Sequence, residues 1–339
     1  MMTPWILLIV SLGIILVGCD LFTNGIEWAG KKLNIAEGAV GSVLAAVGTC
    51  LPETLIAIIA IMMGKHDLGD ESIGIGAILG APLMLSTLAF FITGLAVFWY
   101  SSRGKRSRKI HVDHRVLARD LRFFFLVFGI SAGAAYISSN AIKAAIAFGL
   151  LALYGIYVVQ TFRDKRHPDA NEDISPLHFR KSSDSPQVFM ILGQSAIGVL
   201  VLTFGSKLFV DQLAEISISA RLPALALSLV ITPIATELPE KFNSVLWIRQ
   251  KKDTLALGNI SGAMVFQSSV PPAIGLLFTK WVLQEQAMAA ILVALASSAT
   301  IWLDLIIRKR VTTFSLTMGG IYYLGYLAWL ITMMAGHKG

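Results

Sequence analysis

Apolar residues run through this chain in ten long blocks separated by short polar connections. The blocks cover roughly residues 4–30, 38–63, 72–99, 121–138, 141–162, 187–213, 222–248, 254–279, 285–307 and 313–335. A helix crossing the hydrocarbon core of a bilayer needs about 17–25 mainly apolar residues, and every block meets that length. None alternates with period two, which excludes an outer-membrane type of barrel. The longest polar stretches, 100–120 and 163–186, are too short for a soluble domain. The pattern predicts an all-α integral membrane protein of about ten transmembrane helices.

Composition agrees. Of 339 residues, 55% are hydrophobic and 14% charged, against about 25% charged in an average soluble domain. A mean hydropathy of +0.70 leaves too little polar surface for a soluble fold, and it excludes disordered, collagen-like and disulfide-rich secreted chains. Cys19 and Cys50 lie in apolar blocks and imply neither a disulfide framework nor a zinc site.

The net charge of +7 raises the question of nucleic acid, and the placement of the charges answers it. Twenty-one of the 28 Lys and Arg fall in connections on one side: Lys31–Lys32, 103–122, 163–181, 249–252 and 308–310. Five lie on the other side, and Lys207 and Lys241 fall inside blocks. Basic loops mark the cytoplasmic face, so both termini are expected outside, and the positive balance is an orientation signal rather than a nucleic-acid footprint. The 100–120 segment is able to touch anionic lipid but reads as an ordinary positive-inside loop. Leu16–Cys19 resembles a lipoprotein cleavage box, but residues 1–12 carry no Lys or Arg, unlike the basic start of a signal peptide.

The chain repeats itself. Gly18-Cys19-Asp20-Leu21-Phe22 matches Gly205-Ser206-Lys207-Leu208-Phe209, and Thr49-Cys50-Leu51-Pro52-Glu53 matches Thr236-Glu237-Leu238-Pro239-Glu240, both at an offset of 187. Gly76-Ala77-Ile78-Leu79-Gly80-Ala81 matches Gly258-Asn259-Ile260-Ser261-Gly262-Ala263 at 182. Three ordered matches at nearly one offset indicate duplication. The halves are expected at 1–162 and 187–339, with 163–186 as a cytoplasmic linker. Five helices per half is an odd number, so the second half inserts upside down. Inverted repeats with interrupted helices at matching positions mark secondary transporters. At Gly76/Gly80 and Gly258/Gly262 the bland reading, small residues packing helices, is preferred.

Glu53 and Glu240 fall near the middle of their blocks, each directly after a proline. Proline removes an N–H and clashes with the preceding turn, so the backbone is expected to open there. The freed carbonyls need partners in hydrocarbon, and a cation is one. Thr49 and Thr236 add hydroxyls one turn earlier. Two carboxylates, two hydroxyls and several carbonyls form an all-oxygen set that suits a hard cation, Ca²⁺ ahead of Mg²⁺. Nothing suggests zinc, copper or a bound cofactor. The competing reading is a pair of protonated, hydrogen-bonded structural carboxyls. An ionised group at this depth costs several kcal/mol unless compensated.

These residues carry a family resemblance. Thr-x-Leu-Pro-Glu in both halves, each followed by a glycine-rich helix, resembles the repeats of the sodium/calcium exchangers of the calcium/cation antiporter superfamily. The family pattern is G-T-S-L-P-E, then G-N-x-x-G-S-N-x-x-N/D. The resemblance implies that Glu53, Glu240, Thr49 and Thr236 ligate Ca²⁺, that competing Na⁺ releases it, and that the first and sixth helices slide to give alternating access. This chain departs from the pattern in places. The serine of the motif is Cys50 in one half and Glu237 in the other, the serine after the second glycine is Ala81 and Ala263, and the last polar position is Leu85 and Gln267. The family's sodium-site oxygen is thereby reduced. Glu237 and Lys241 stand i,i+4 with the acid N-terminal, a favourable ion-pair order. They are read as coupling or charge-compensating groups together with Cys50 and Gln267, Lys241 replacing one sodium and Glu237 pairing with it or carrying a proton. A purely structural Glu237–Lys241 pair is the alternative.

Other positions read more plainly. Asp20, Asn24, Lys207 and Asp211 sit toward helix ends and snorkel or line ion paths. Met62, Met63 and Phe123–Phe125 read as lipid-facing, His111, His114, His167 and His178 as solvated loop histidines, and Asp304–Arg308 as a surface pair. No H-E-x-x-H or G-x-S-x-G motif supports an enzyme. The expected function is antiport of Ca²⁺ or a related divalent cation for Na⁺ or H⁺ across a bacterial or archaeal plasma membrane. The alternative is a degenerate exchanger acting as a sensor or partner without transport. Oligomeric state, stoichiometry and transport direction are not encoded legibly.

Overall fold

A computed structural model of the chain describes residues 2–32, 50–63, 70–163, 175–180 and 186–336. The side chains of residues 2, 70, 235, 238–243 and 336 lie outside that description. All regular structure among the described residues is helical. The elements are α1 Met2–Lys32, α2 Leu51–Met63, α3 Asp70–Met84, α4 Phe90–Ser102, α5 His114–Gly133, α6 Asn140–Arg163, α7 Val188–Ala220, α8 Ala224–Arg249, α9 Asp253–Gln267, α10 Val270–Phe278, α11 Glu285–Arg308 and α12 Thr313–Gly336. Two neighbouring pairs form single spans: α3 runs into α4 through a π-helical turn at Leu85–Ala89, and α9 is separated from α10 only by Ser268–Ser269. The result is ten spans in the blocks that the hydropathy pattern marks, arranged as two inverted five-helix repeats.

The inversion is visible in how α1 and α7 meet. A Cβ on Gly18 would lie 2.8 Å from the Leu202 nitrogen, and one on Gly205 would lie 3.1 Å from the Ile15 nitrogen. Shifting the first pair by the repeat offset gives the second with partners exchanged, as a two-fold axis requires. Gly198 meets Phe22 and Gly25 meets Ser195 in the same way. As numbers rise along α1 they fall along α7, so the equivalent helices are antiparallel. Glycines seven apart on each helix let the backbones touch without side chains between them, which is how helices associate closely in a solvent as apolar as themselves. Gly76 and Gly80 are likewise pressed against Ser228 and Leu229 of α8. Gly258 and Gly262 are not: their nearest neighbours, Val116 and Tyr157, stand at 3.9 and 3.4 Å. The packing reading therefore holds for the first-half pair only.

The two halves are riveted together on the basic-loop side. Arg106 Nη1 and Nη2 bond both oxygens of Asp253 at 2.7 and 2.8 Å, and Nη1 also reaches the Ile248 carbonyl at 2.8 Å. The His111 amide bonds Asp253 Oδ2 at 2.9 Å. Both charged side chains are buried, so neither is removable alone without stranding the other. The 175–180 segment clips α1 to α7. Asn24 and Trp28 both donate to the Ser175 carbonyl at 3.0 Å, Gln194 donates to Asn24 Oδ1 at 2.9 Å, and Leu177 is enclosed by Trp28 and Ile191.

Several single-residue expectations are corrected. Asn24 is a buried part of this clip rather than a snorkelling end group. His178 Nε2 lies 3.0 Å from Asp20 and is not simply solvated. Phe124 is fully buried, with its ring centre 5.3 Å from that of Phe128, and Phe123 and Phe125 pack against the core. The start of α5 is set by Asp113, whose Oδ1 accepts from the Arg115 amide at 2.8 Å as an N-cap. Asp304 does contact Arg308 at 3.3 Å, but it is buried and receives the Thr312 amide and hydroxyl, capping the turn into α12. Met62 and Met63 are exposed to lipid as expected.

The α1–α7 contact gives a direct test. Gly18→Val is expected to destabilise the protein by about 2 kcal/mol through overpacking. Gly13→Val, on the same helix with nothing within 4 Å, is expected to leave the thermal midpoint in detergent unchanged.

Candidate functional site

The first-half motif is seated at the beginning of α2. Pro52 occupies the opening turn, where a missing N–H costs nothing, and Glu53 follows it there. The unpaired amides of a helix start favour negative charge, which suits a carboxylate that is only 1% exposed. The Thr54 hydroxyl turns back to the Cys50 carbonyl at 2.9 Å, and the Thr54 amide reaches it at 3.3 Å. That carbonyl also receives Gln267 Nε2 at 3.4 Å. Cys50 and Gln267 come from opposite repeats and are both buried, so the motif of one half touches the end of the glycine helix of the other.

On the second-half side, α8 is one continuous helix from Ala224 to Arg249. It passes through Pro233 and Pro239 where the sequence leads one to expect an interruption. Proline is tolerated within membrane helices because neighbouring groups re-satisfy the released carbonyl. Thr236 donates to the Thr232 carbonyl at 2.8 Å, keeping its oxygen lone pairs available, and Glu237 is 1% exposed. Thr232 in turn contacts Ser228 at 3.1 Å, which donates to the Ile73 carbonyl of α3 at 2.7 Å. The side chains of Glu240 and Lys241, and Thr49 entirely, lie outside the described residues. Among the proposed groups the structure therefore joins Cys50 to Gln267 and buries Glu53, Thr236 and Glu237.

The opening expected at 47–49 lies outside the described residues, and two further irregular turns sit beside other prolines, Pro82 and Pro271–Pro272. The π-helical turn Leu85–Ala89 and the Ser268–Ser269 break fall at equivalent positions, 182 residues apart at Ser86 and Ser268. Irregular turns of this kind inside helices are frequent at functional sites. Both are lined with small hydroxyls: Ser86, Thr87, Ser268 and Ser269 are all fully buried. Thr87 bonds the Leu83 carbonyl at 2.5 Å, Ser269 bonds the Val265 carbonyl at 2.6 Å, and Ser297 of α11 closes on the Ser86 carbonyl at 2.6 Å. Among the described residues, Gln267 Oε1 and Ser268 Oγ are buried without a hydrogen-bond partner. Uncompensated oxygens are expensive at this depth, and a hard cation is the group that oxygen donors accept. The signal was present in the sequence, since continuing the 182 offset past the glycines aligns Leu85-Ser86-Thr87 with Gln267-Ser268-Ser269.

Another buried carboxylate, besides Asp253, escaped the sequence reading. Asp120, 1% exposed, accepts from Ser261 Oγ of α9 at 2.6 Å and from Arg119 at 3.2 Å, and lies close to Tyr157 of α6. It ties α5 and α6 to the glycine helix of the second repeat. Its place as the one acidic residue between Arg119 and Arg122 is the clue that its sequence offers.

Comparison with known proteins places these features in context. A family model described as sodium/calcium exchanger protein matches residues 3–163 and 190–335. The inner membrane protein YrbG of Escherichia coli is 24% identical over 332 residues, covering 96% of both chains. The putative antiporter CaxA of Alkalimonas amylolytica is 22% identical, covering 85% of this chain and 84% of that one. Among solved structures, the H⁺/Ca²⁺ exchanger CAX superposes with a TM-score of 0.76 at 14% identity, over 97% of this chain and 86% of the other. The sodium–calcium exchanger NCX_Mj gives 0.57 at 21% identity, over 96% and 99%.

Gln267→Leu copies the residue at the equivalent position, Leu85, and removes the bond to the Cys50 carbonyl. Loss of one such hydrogen bond is worth about 1 kcal/mol. The purified protein is expected to be destabilised by about that amount with folding retained, read as a lowered thermal midpoint in detergent.

Proposed function

The chain belongs to the sodium/calcium exchanger protein family, a family of cation exchangers, and on that footing we propose that it is a secondary active antiporter exchanging Ca²⁺, or a related divalent cation, for Na⁺ or H⁺. Glu53, Glu240, Thr49 and Thr236 are the proposed ligands. Glu237, Lys241, Cys50 and Gln267 are the proposed coupling and charge-compensating groups. The observation that carries the reading is the Gln267–Cys50 contact, which brings the motif of one repeat against the broken span of the other beside buried Glu53. The CAX and NCX_Mj proteins are exchangers of Ca²⁺ for H⁺ and Na⁺ respectively, and both coupling ions remain in the proposal.

The chemistry of such a site enforces exchange. Glu53, Glu237 and Glu240 with Lys241 sum to −2 when ionised, which one divalent cation balances. Leaving those charges uncompensated in a low-dielectric interior costs several kcal/mol, so the site crosses the membrane loaded with a divalent ion, or with Na⁺ or protons in its place. The two sets of cations compete for the same oxygens, and their fluxes are thereby opposed. Ala81, Ala263 and Leu85 supply no side-chain oxygen, which favours a charge-compensated or proton-coupled cycle over one using several sodium ions. Alternating access is assigned to the α1–α7 pair moving across the remaining helices of halves 1–162 and 187–339, joined by the 163–186 linker. The basic loops support a plasma-membrane orientation with both termini outside.

The reduced oxygen set also supports a second reading, a non-transporting exchanger-like protein. Exchange of ⁴⁵Ca²⁺ into proteoliposomes separates the two. Flux is expected under a Na⁺ or H⁺ gradient, and its absence under Na⁺, K⁺ and H⁺ gradients alike favours the second. Glu53→Gln and Glu240→Gln are each expected to reduce exchange by about 100-fold, since removing one buried charged partner costs about 2–5 kcal/mol; normal transport by both would exclude the proposed ligands. Lys241→Met is expected to change the counter-ion dependence or stoichiometry. An unaltered profile in that variant would leave Glu237–Lys241 a structural pair.

A further inference from the structure

We infer that the groove between α5 and α6 on the basic-loop side is a binding site for the headgroup of an anionic phospholipid. A cavity of about 380 Å³ opens there, and its lining includes His114, Arg115, Arg119 and Arg122 without any acidic residue. Arg115, Arg119 and Arg122 stand at i, i+4 and i+7, so α5 presents them in one stripe. Ala118 lies inside the stripe and leaves the notch between longer side chains. Gln160 of α6 supplies an amide on the opposite wall.

The arginines are not equivalent. Arg119 is held in place: its Nε and Nη2 bond Asp120 at 3.2 Å, and its guanidinium lies 5.5 Å from the Tyr157 ring centre. Its charge is largely balanced by Asp120. Arg115 and Arg122 are exposed, and among the described residues neither forms an ion pair. Among the described residues the notch therefore offers about two uncompensated positive charges beside one fixed guanidinium. The start of α5 lies at the same place, and a helix N-terminus favours anions. Asp113 already occupies the Arg115 amide as the N-cap, so the side chains, rather than that amide, hold the ligand.

The surroundings select a lipid over a free phosphate. Phe123 forms the apolar floor, packed edge-on against Tyr157 at 5.3 Å. One turn further along each helix, Leu126 follows Arg122 on α5 and Ile156 precedes Gln160 on α6, and both are exposed, at 47% and 49%. A headgroup phosphate in the notch would leave its acyl chains lying along these residues. Basic pockets between membrane helices on the cytoplasmic side are suited to such headgroups. This inference is independent of the transport reading, since it concerns lipid retention and not ion flux.

The test uses the full chain, delipidated in mild detergent, with lipid binding followed by native mass spectrometry. Dioleoyl phosphatidylglycerol is the probe, with dioleoyl phosphatidylcholine and inorganic phosphate as comparison arms. One Lys or Arg near an anionic surface contributes about fivefold in affinity. Arg115→Gln/Arg122→Gln is therefore expected to weaken phosphatidylglycerol binding about 25-fold, with Lys252→Gln/Arg310→Gln, a charge-matched pair elsewhere on the same side, nearly unchanged. Ala118→Trp fills the notch with all charges kept and is expected to weaken binding as well, so the assignment does not hang on one variant. Equal losses in both charge-matched pairs would reduce the effect to general surface charge and overturn the site. Equal binding of phosphatidylcholine, or displacement of the lipid by millimolar phosphate, would overturn it too.

Discussion

Water does not reach the hydrocarbon core of a bilayer, so every polar group placed there has to find its partner within the protein. The architecture of this chain follows from that requirement. It explains why the described structure is helical, since helices satisfy their own backbones. It also explains why the exceptions are so well dressed. At the π-helical turn the Ser86 carbonyl is closed by Ser297, and Thr87 and Ser269 fold back on carbonyls of their own helices. Among the groups left over after this dressing are Gln267 Oε1 and Ser268 Oγ, at the break whose Gln267 amide reaches the Cys50 carbonyl of the first motif.

The same solvent divides the contacts into two kinds. Between α1 and α7 the helices meet through glycines, backbone against backbone, in an antiparallel register that repeats every seven residues. Such a surface is close but smooth. The 175–180 clip joins the two ends of this pair, so Asn24, Trp28 and Gln194 make it one unit. The other helices are pinned by specific polar bonds: Arg106 on Asp253, Asp120 on Ser261, and Ser228 on the Ile73 carbonyl. The α1–α7 pair is thus held together by glycine contacts and the clip, whereas the remaining helices are joined to one another by directional polar bonds.

Much of this was readable before any coordinates. The ten blocks became ten spans, and the repeated Gly18 and Gly205 proved to be reciprocal contacts about one axis. Errors concentrated where an energetic choice depended on a neighbour distant in sequence. Proline at 239 did not end α8, while Ser268–Ser269 did interrupt its span, because the cost of irregular backbone depends on which side chains can close it. Phe124 looked like lipid-facing bulk and is core, packed against Phe128. Asp120 drew no notice in the sequence. Its role appeared only once α9 and α6 brought Ser261 and Tyr157 against it.

The sequence by itself determined the solvent, the helix count, the duplication and the inversion, because these rest on hydropathy, length and an odd number of helices per half. It also supplied the family motif and its departures. The tertiary structure decided which groups meet: that Gln267 closes on Cys50, that Ser297 closes on the Ser86 carbonyl, that Arg119 is spent on Asp120 while Arg115 and Arg122 are not. Periodicity reports what a residue needs as an environment. Only packing, which brings together positions as far apart as Cys50 and Gln267, determines the partner that provides it.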